Sequence, residues 1–268
     1  MTDVLGVCTS WRDGVCTVQP DSGAPVDIPV ADIVTGKPVP PRASARQRVS
    51  AREAERHSLP MWPLVERFPL GEWELRTDPA PVGRLLKRTN SCLAFGDPGQ
   101  PLPAAADAVR DFYASRGRDS LVQLELGSAE ESEFAGLGWA PVPGGDAHFL
   151  LTSLAHAARL AGSDLDVEVE EDGPRVRVVR RVNGQDIGSC RAALDRDWLG
   201  VHGLEVEPSR RGQGHGTAMM AALIEWGAEQ GATTVWLHVE TDNEPALALY
   251  GGLGFRIHHS NRYLQAPA

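Results

Sequence analysis

Positive charge is scarce in this chain. Its 26 Lys and Arg stand against 36 Asp and Glu, a formal net charge of -10, and the sequence pI is about 5.3. A nucleic-acid binder ordinarily presents a basic face, so that class is excluded for the molecule as a whole, although a local basic pocket is not. Long apolar runs are also missing. Nothing approaches the roughly 20 residues that a membrane-spanning helix needs. The opening MTDVLGVCTSW has no basic segment followed by an apolar one, so it does not read as a secretory leader. These absences point to a cytoplasmic protein with no membrane partner. Cysteine is sparse, and Cys8, Cys16, Cys92 and Cys190 show no C-x-x-C spacing. Buried thiols are expected in place of a disulfide or zinc framework. The eight histidines lack metal spacing too, because the adjacent His258 and His259 would point to opposite faces of a strand. No metal is expected.

What remains is an ordinary globular composition, 42% hydrophobic and 23% charged over 268 residues, enough for one or two domains. Its most informative stretch lies late in the chain. An apolar, β-leaning run over residues 198–206 stops at Pro208. Two arginines follow, then glycines at 212, 214 and 216, and helical spacing begins at Thr217. Strand, glycine turn and helix in this order leave backbone N–H groups free at a helix N-terminus, where the dipole favours an anion. The glycines remove side chains that would keep a phosphate from that backbone. A dinucleotide fingerprint needs G-x-G-x-x-G, but Thr217 stands at its last position, and a P-loop needs a lysine that the turn lacks. The pattern present is R-x-x-G-x-G, from Arg211, Gly214 and Gly216. Downstream, residues 234–240 (TVWLHVE) read as the next strand. Asn243, Ala246, Leu249, Tyr250, Gly254 and Phe255 then form N-x-x-A-x-x-L-Y-x-x-x-G-F.

This ordered pair of motifs resembles the two signatures of the GNAT (GCN5-related) N-acetyltransferase superfamily. The resemblance implies an α/β (α+β) fold, a mixed central sheet flanked by helices, with acetyl-CoA as cofactor. It places the pyrophosphate on the amides of Arg211, Gly212, Gln213, Gly214, His215, Gly216 and Thr217. The pantetheine arm would pair like an added strand with the backbone of Leu204, Glu205 and Val206. Asn243 would cap the following helix and touch the cofactor. Tyr250 would be the general acid toward the departing thiolate, since a phenol with an ordinary pKa near ~10 is protonated. No cysteine lies in either motif to carry an acyl group, so direct transfer is implied. The base stays open between Glu205, on the central strand, and His238, which shares a face with Glu240 on the next.

The whole chain divides into four parts. Residues 1–40 carry three short strands with turns at Arg12-Asp-Gly and Asp21-Ser-Gly, and resemble the SH3-like module that precedes the catalytic part in an actinobacterial group, N-acetylglutamate-synthase-like and mycobacterial acetyltransferases. Residues 41–58 join a proline-rich linker to a polar helix with a solvated face. Residues 59–154 show β-β-α-β-α-β order without the glycine turn, a degenerate GNAT half. Residues 155–166 link this half to the intact, acetyl-CoA-binding domain at 163–268. A complete GNAT domain has two helices between its first and second strands, but residues 167–175 leave room only for a hairpin. The first half must supply that wall, or the acceptor side is open.

Within the degenerate half, Arg88, Asn90, Ser91 and Gln123 form a candidate acceptor-binding set. A guanidinium clamps a carboxylate bidentately, and the others offer hydrogen bonds. A structural hydrogen-bond network is the equal alternative. The expected activity is acetyl transfer to the amine of a small molecule, an amino acid such as glutamate among them. The alternatives are a protein lysine or N-terminal amine, and a CoA-binding regulator without turnover. A monomer or homodimer is expected, without nucleic acid.

Overall fold

Alternation of apolar and polar residues at period two dominates the chain, and the computed structural model resolves it into fifteen strands. It describes residues 3–20, 23–36, 44–81, 83, 85–162 and 166–267. The proline-rich stretch at residues 37–43 and the turn at Asp21 and Ser22 lie outside the described residues. The described chain forms two compact units, residues 1–44 and 45–268. In the first, β1 (Val7–Arg12), β2 (Val15–Gln19) and β3 (Val26–Pro29) make a three-stranded antiparallel sheet.

The second unit begins with α1 (Ala51–Arg56), capped by Ser50, whose side chain accepts the Glu53 N–H at 3.2 Å. The helix is shorter than expected, and its face is not wholly solvated. Glu55 is only 1% exposed. Next come β4 (Glu66–Leu70), β5 (Trp73–Thr77), β6 (Cys92–Leu93), α2 (Leu102–Ala114), β7 (Leu121–Glu125), α3 (Ala129–Gly136), β8 (Ala140–Pro141) and β9 (Ala147–Ser153). The hairpin strand β4 was not foreseen, because Arg67 and Pro69 interrupt its apolar pattern. The link expected from residue 155 begins as a helix, α4 (Leu154–Leu160), which buries Leu154 and Ala157. The remaining elements are β10 (Glu168–Asp172), β11 (Arg175–Val182), β12 (Gln185–Asp195), β13 (Trp198–Val206), α5 (His215–Glu229), β14 (Thr234–Glu240), α6 (Glu244–Gly252) and β15 (Arg256–Gln265).

One twelve-stranded sheet spans this unit, in the order β10-β11-β12-β13-β14-β9-β15-β7-β6-β5-β4, with β8 paired to β15. Each half contains one parallel pair, β6 with β7 and β13 with β14, joined across a helix. Strands β9 and β15 pair with each other at the centre, and each bonds the parallel pair of the other half. The halves therefore interlock by a reciprocal strand exchange. No local pattern could show this, because a strand's hydrophobic period does not name its neighbour.

Side-chain parity builds the layers. Val235, Leu237 and Val239 of β14 face α5, in a core with Leu199, Val201, Met219 and Leu223. Trp236 points the other way, into a second cluster with Ala54, Met61 and Phe149. A third core, with Trp73, Val109, Tyr113, Leu124 and Phe134, unites α2 and α3 with the first half of the sheet. Cys16, Cys92 and Cys190 are buried thiols, as expected, whereas Cys8 is exposed on the edge strand β1. No described helix is long and apolar enough to cross a membrane.

Candidate functional site

The glycine turn sits where β13 leaves β14. Their parallel ladder runs only from Trp198 and Thr234 to Val201 and Leu237. Beyond it the strands part, so one edge of His202–Val206 is free while the other still bonds β12. At the departure point β13 holds one extra residue. Arg191 pairs with His202 and Ser189 with Glu205, so two residues of β13 lie between the pairs against one of β12. Gly203 takes φ +64°, which suits glycine at such a bulge. The bulge resets parity, so Leu204 and Val206 return to the α5 core while Glu205 is exposed.

A short 3-10 turn (Pro208–Arg210) follows, and Arg211 Nε donates to the Val206 carbonyl at 3.1 Å. Gly212 and Gly214 have φ of +73° and +81°. Gly214 is the N-cap of α5, and no side chain caps the helix. Its first amides are therefore available to an anion. Gln213 donates to the Ser209 carbonyl at 3.3 Å, and Thr217 lies in the first turn. His215 is 8% exposed, and burial, then the charges of Arg180 and Arg210, depress its pKa. Gly216 is packed closely, since a Cβ would stand 3.3 Å from Leu249 Cδ2. In the matching turn of the first half two amides are already taken. Glu72 Oε2 accepts the Asp97 N–H at 2.8 Å, and Asp97 Oδ1 accepts the Gly99 N–H at 2.8 Å.

On the far side of the parted strands, Asn243 caps α6, its Oδ1 accepting the Ala246 N–H at 3.2 Å. This helix presents Tyr250, 7% exposed, with its ring 5.7 Å from Phe255. Its hydroxyl has no hydrogen-bond partner among the described residues, and burial pushes the phenol's pKa well up. His238 is the first residue of β14 past the ladder. Its Nε2 lies 2.8 Å from Glu55 Oε1, and burial depresses its pKa.

Next to this point a small open cleft of about 50 Å³ is lined by Trp62, Lys87, Arg88, Glu240 and Tyr263, together with Leu86, Gly145 and Ala147. Trp62, Lys87 and Arg88 of that lining come from the first half. Arg88 is the convergence point. It reaches the Tyr263 hydroxyl, and its charge bears on Tyr263, His238, His202 and Tyr250 alike. His202 is pushed down to about 4, by burial first and then by Arg191 and Arg88. Tyr263 is pushed up to about 12 by burial.

The other three residues read with Arg88 do not line the cleft. Ser91 Oγ accepts from Arg76 Nη2 at 3.0 Å, and Gln123 Oε1 accepts from the same nitrogen at 2.7 Å and from the Tyr263 hydroxyl at 3.1 Å. Asn90 Oδ1 accepts the Asp78 N–H at 3.0 Å and bonds Arg118, while its Nδ2 donates to Leu86 and Thr89. These buried groups close the loop that carries Arg88. Sequence reading missed Arg76, Trp62, His202 and Tyr263, which no motif links to the glycine turn. The recurrence of His and Tyr on β13, β14 and β15 was the one available signal.

Comparisons with known proteins follow this geometry. Residues 150–255 match the model of the acetyltransferase (GNAT) family. A mycothiol acetyltransferase of Clavibacter sepedonicus is 32% identical over 212 residues, covering 69% of each chain. Another, of Clavibacter michiganensis subsp. michiganensis, is 33% identical over 186 residues, 62% of this chain and 58% of that protein. A GCN5-related N-acetyltransferase structure from Kribbella flavida superposes with a TM-score of 0.62 at 17% identity, over 82% of this chain and 97% of its own.

Proposed function

This chain belongs to the GNAT acetyltransferase family, and from that premise we propose that it is an acetyl-CoA-dependent N-acetyltransferase acting on a small amine that carries a carboxylate, an amino acid such as glutamate. The observation that carries this reading is Arg88. A guanidinium from the first half enters a cleft whose Glu240 and neighbouring Tyr250 and His238 come from the second half.

The residues present fit the cofactor. The uncapped N-terminus of α5 suits a pyrophosphate, with Arg211 and Arg210 nearby, and the free edge of Leu204–Val206 suits an extended amide-bearing arm. Acetyl-CoA, when bound, supplies an acetyl group activated as a thioester. The rest is the work of this chain's own groups. Arg88 orients the acceptor by its carboxylate, with Tyr263 alongside. Glu240 balances the cation at the other end of the cleft. Tyr250, protonated through the neutral range, holds a proton where a thiolate departs. Between the two base candidates, Glu205 is exposed to solvent, and His238 is enclosed beside Arg88. Glu72 and Asp97 take two amides of the matching turn before α2, which supports one cofactor per chain.

The names of the relatives favour a second acceptor, the one on which mycothiol acetyltransferases act. The experiment is a thiol-release screen over amino acids, that acceptor, polyamines and lysine peptides, run with the native chain and Arg88→Ala. An acidic amino acid should be turned over, and the variant should lose roughly 10- to 100-fold in kcat/KM, matching a charged hydrogen bond of about 1.5–3 kcal/mol. Binding of acetyl-CoA should be unchanged in calorimetry. Turnover of peptides alone, or no loss in Arg88→Ala, rejects the carboxylate reading.

A further inference from the structure

On the sheet face opposite α5 lies a closed polar cluster that the glycine turn does not use. Glu55 is its centre. Its Oε1 accepts from His238 Nε2 at 2.8 Å, from His259 Nε2 at 3.1 Å and from Asn261 Nδ2 at 2.6 Å. His259 Nδ1 is 2.8 Å from His258 Nδ1, and His258 Nε2 is 2.9 Å from the Val49 carbonyl oxygen. Aromatic rings wall the cluster. Phe149 stacks on His259 at 4.9 Å, and both Phe149 and Trp236 stand edge-on to His238, at 5.1 and 5.5 Å. Helix α1, which brings Glu55, is pinned by His57. That ring stacks on Trp198 at 4.1 Å and bonds Asp195 at 2.7 Å.

From Val49 to Glu55 the order is carbonyl, His258, His259, carboxylate. Burial acts to raise the Glu55 pKa, but the pairing with His238 and His259 outweighs it and holds the carboxyl well below its ordinary value. The series ends at a carbonyl, which does not pass a proton on, so it is not a relay.

His238 is different. Its Nε2 proton is committed to Glu55, which leaves Nδ1 with a lone pair. That nitrogen has no hydrogen-bond partner among the described residues, and the side chain is 4% exposed. It lies where β13 and β14 part, within the influence of Arg88. We propose that Glu55 is a positioning residue for acetyl transfer, holding His238 in the tautomer whose open Nδ1 takes the proton of the acceptor ammonium. This rests on the acetyltransferase reading above. In the step, one ammonium N–H bond breaks and an Nδ1–H bond forms. The electron pair stays on the amine nitrogen, and the new imidazolium faces the Glu55 carboxylate. The charged and titratable groups facing His238 are Glu55 from α1, His259 from β15 and Arg88 from the loop before β6. Burial and Arg88 keep the ring neutral at rest, while Glu55 favours the proton's arrival.

The test has two arms. Nitrogen NMR of the ¹⁵N-histidine-labelled full chain, with His238→Gln for assignment, should show His238 protonated at Nε2 and bare at Nδ1 near neutral pH. A proton on Nδ1 instead, or a cationic His238, overturns the proposal whether or not any acceptor is found, so this arm stands apart from the activity reading. In the second arm, Glu55→Gln keeps shape but removes charge. The expected result is a fall in kcat of about 100-fold with KM for acetyl-CoA unchanged, and an acid limb of the kcat profile shifted to lower pH. A fall in kcat with the limb unmoved would mean a purely structural role. Should the variant not fold, the tautomer in the native chain decides.

Discussion

Phe149 and His259 stack at 4.9 Å between ring centroids, directly opposite each other on the β9–β15 ladder. Each residue sits on a strand that its own half ends with and that the other half's parallel pair bonds. The contact is thus the closure point of two interlocked halves.

Interlocking predicts that neither half folds alone. A fragment of residues 45–160 lacks β15 between β7 and β9, and one of residues 166–268 lacks β9 between β14 and β15. Each would expose an unpaired edge in mid-sheet. Circular dichroism and amide exchange of the separate fragments should show no protected sheet, while mixing them should restore it. A protected, cooperative C-terminal fragment would contradict the exchange.

Tyr250→Phe retains the ring packed near Phe255 and removes the hydroxyl, which has no hydrogen-bond partner to lose among the described residues. The fold should therefore be unaffected. The kcat should fall by roughly 100-fold or more, the range of a lost general acid, with CoA affinity in calorimetry unchanged. Full activity in this variant would remove Tyr250 from the chemistry.

Gly200 lies where β13 crosses beneath Trp236. A Cβ there would stand 2.3 Å from Met61 Cε and 2.7 Å from Trp236 Cζ2. The indole cannot withdraw easily, since Phe149 stacks on it at 4.7 Å. Gly200→Ala should cost about 1–3 kcal/mol as an overpacked core. Melting temperature should drop by roughly 2–4 °C for each kcal/mol. An unchanged melting temperature would show that Met61 and Trp236 yield without cost.

Acid should destabilise the fold before its carboxylates titrate. His202 is held down to about 4, and burial also lowers His57, His215, His238 and His258. The unfolded chain, with imidazoles near ~6.5, binds protons that the native chain refuses. Stability is thus full above that value and falls as pH drops toward 4. His202 alone would account for on the order of 3 kcal/mol. Denaturant midpoints measured across this window should decline steadily. A flat profile would mean that these rings are not buried neutral.

The glycine turn, the cap at Asn243 and the place of Tyr250 were all legible in the linear chain. Their chemistry is local: a helix N-terminus, a left-handed glycine and a first-turn amide are made by residues a few positions apart, and backbone sterics alone select them. The element order of the first half was legible for a similar reason, apart from β4, the short β8 and the start of α4. The cleft proposed for the acceptor was not. Arg88, Glu240 and Tyr263 meet only because β9 and β15 trade places, and pairing of distant strands leaves no trace in hydrophobic period. Nor was Glu55, which sits among exposed charges in A-R-E-A-E-R and reads as one of them. Its burial follows from α1 docking through His57 and Trp198, a contact that exists only in the folded molecule. The sequence by itself determined that a glycine turn opening a helix and the tyrosine of the next helix stand side by side. Tertiary packing decided what faces them, because an isolated carboxylate is kept in an interior only when distant donors arrive to pair it.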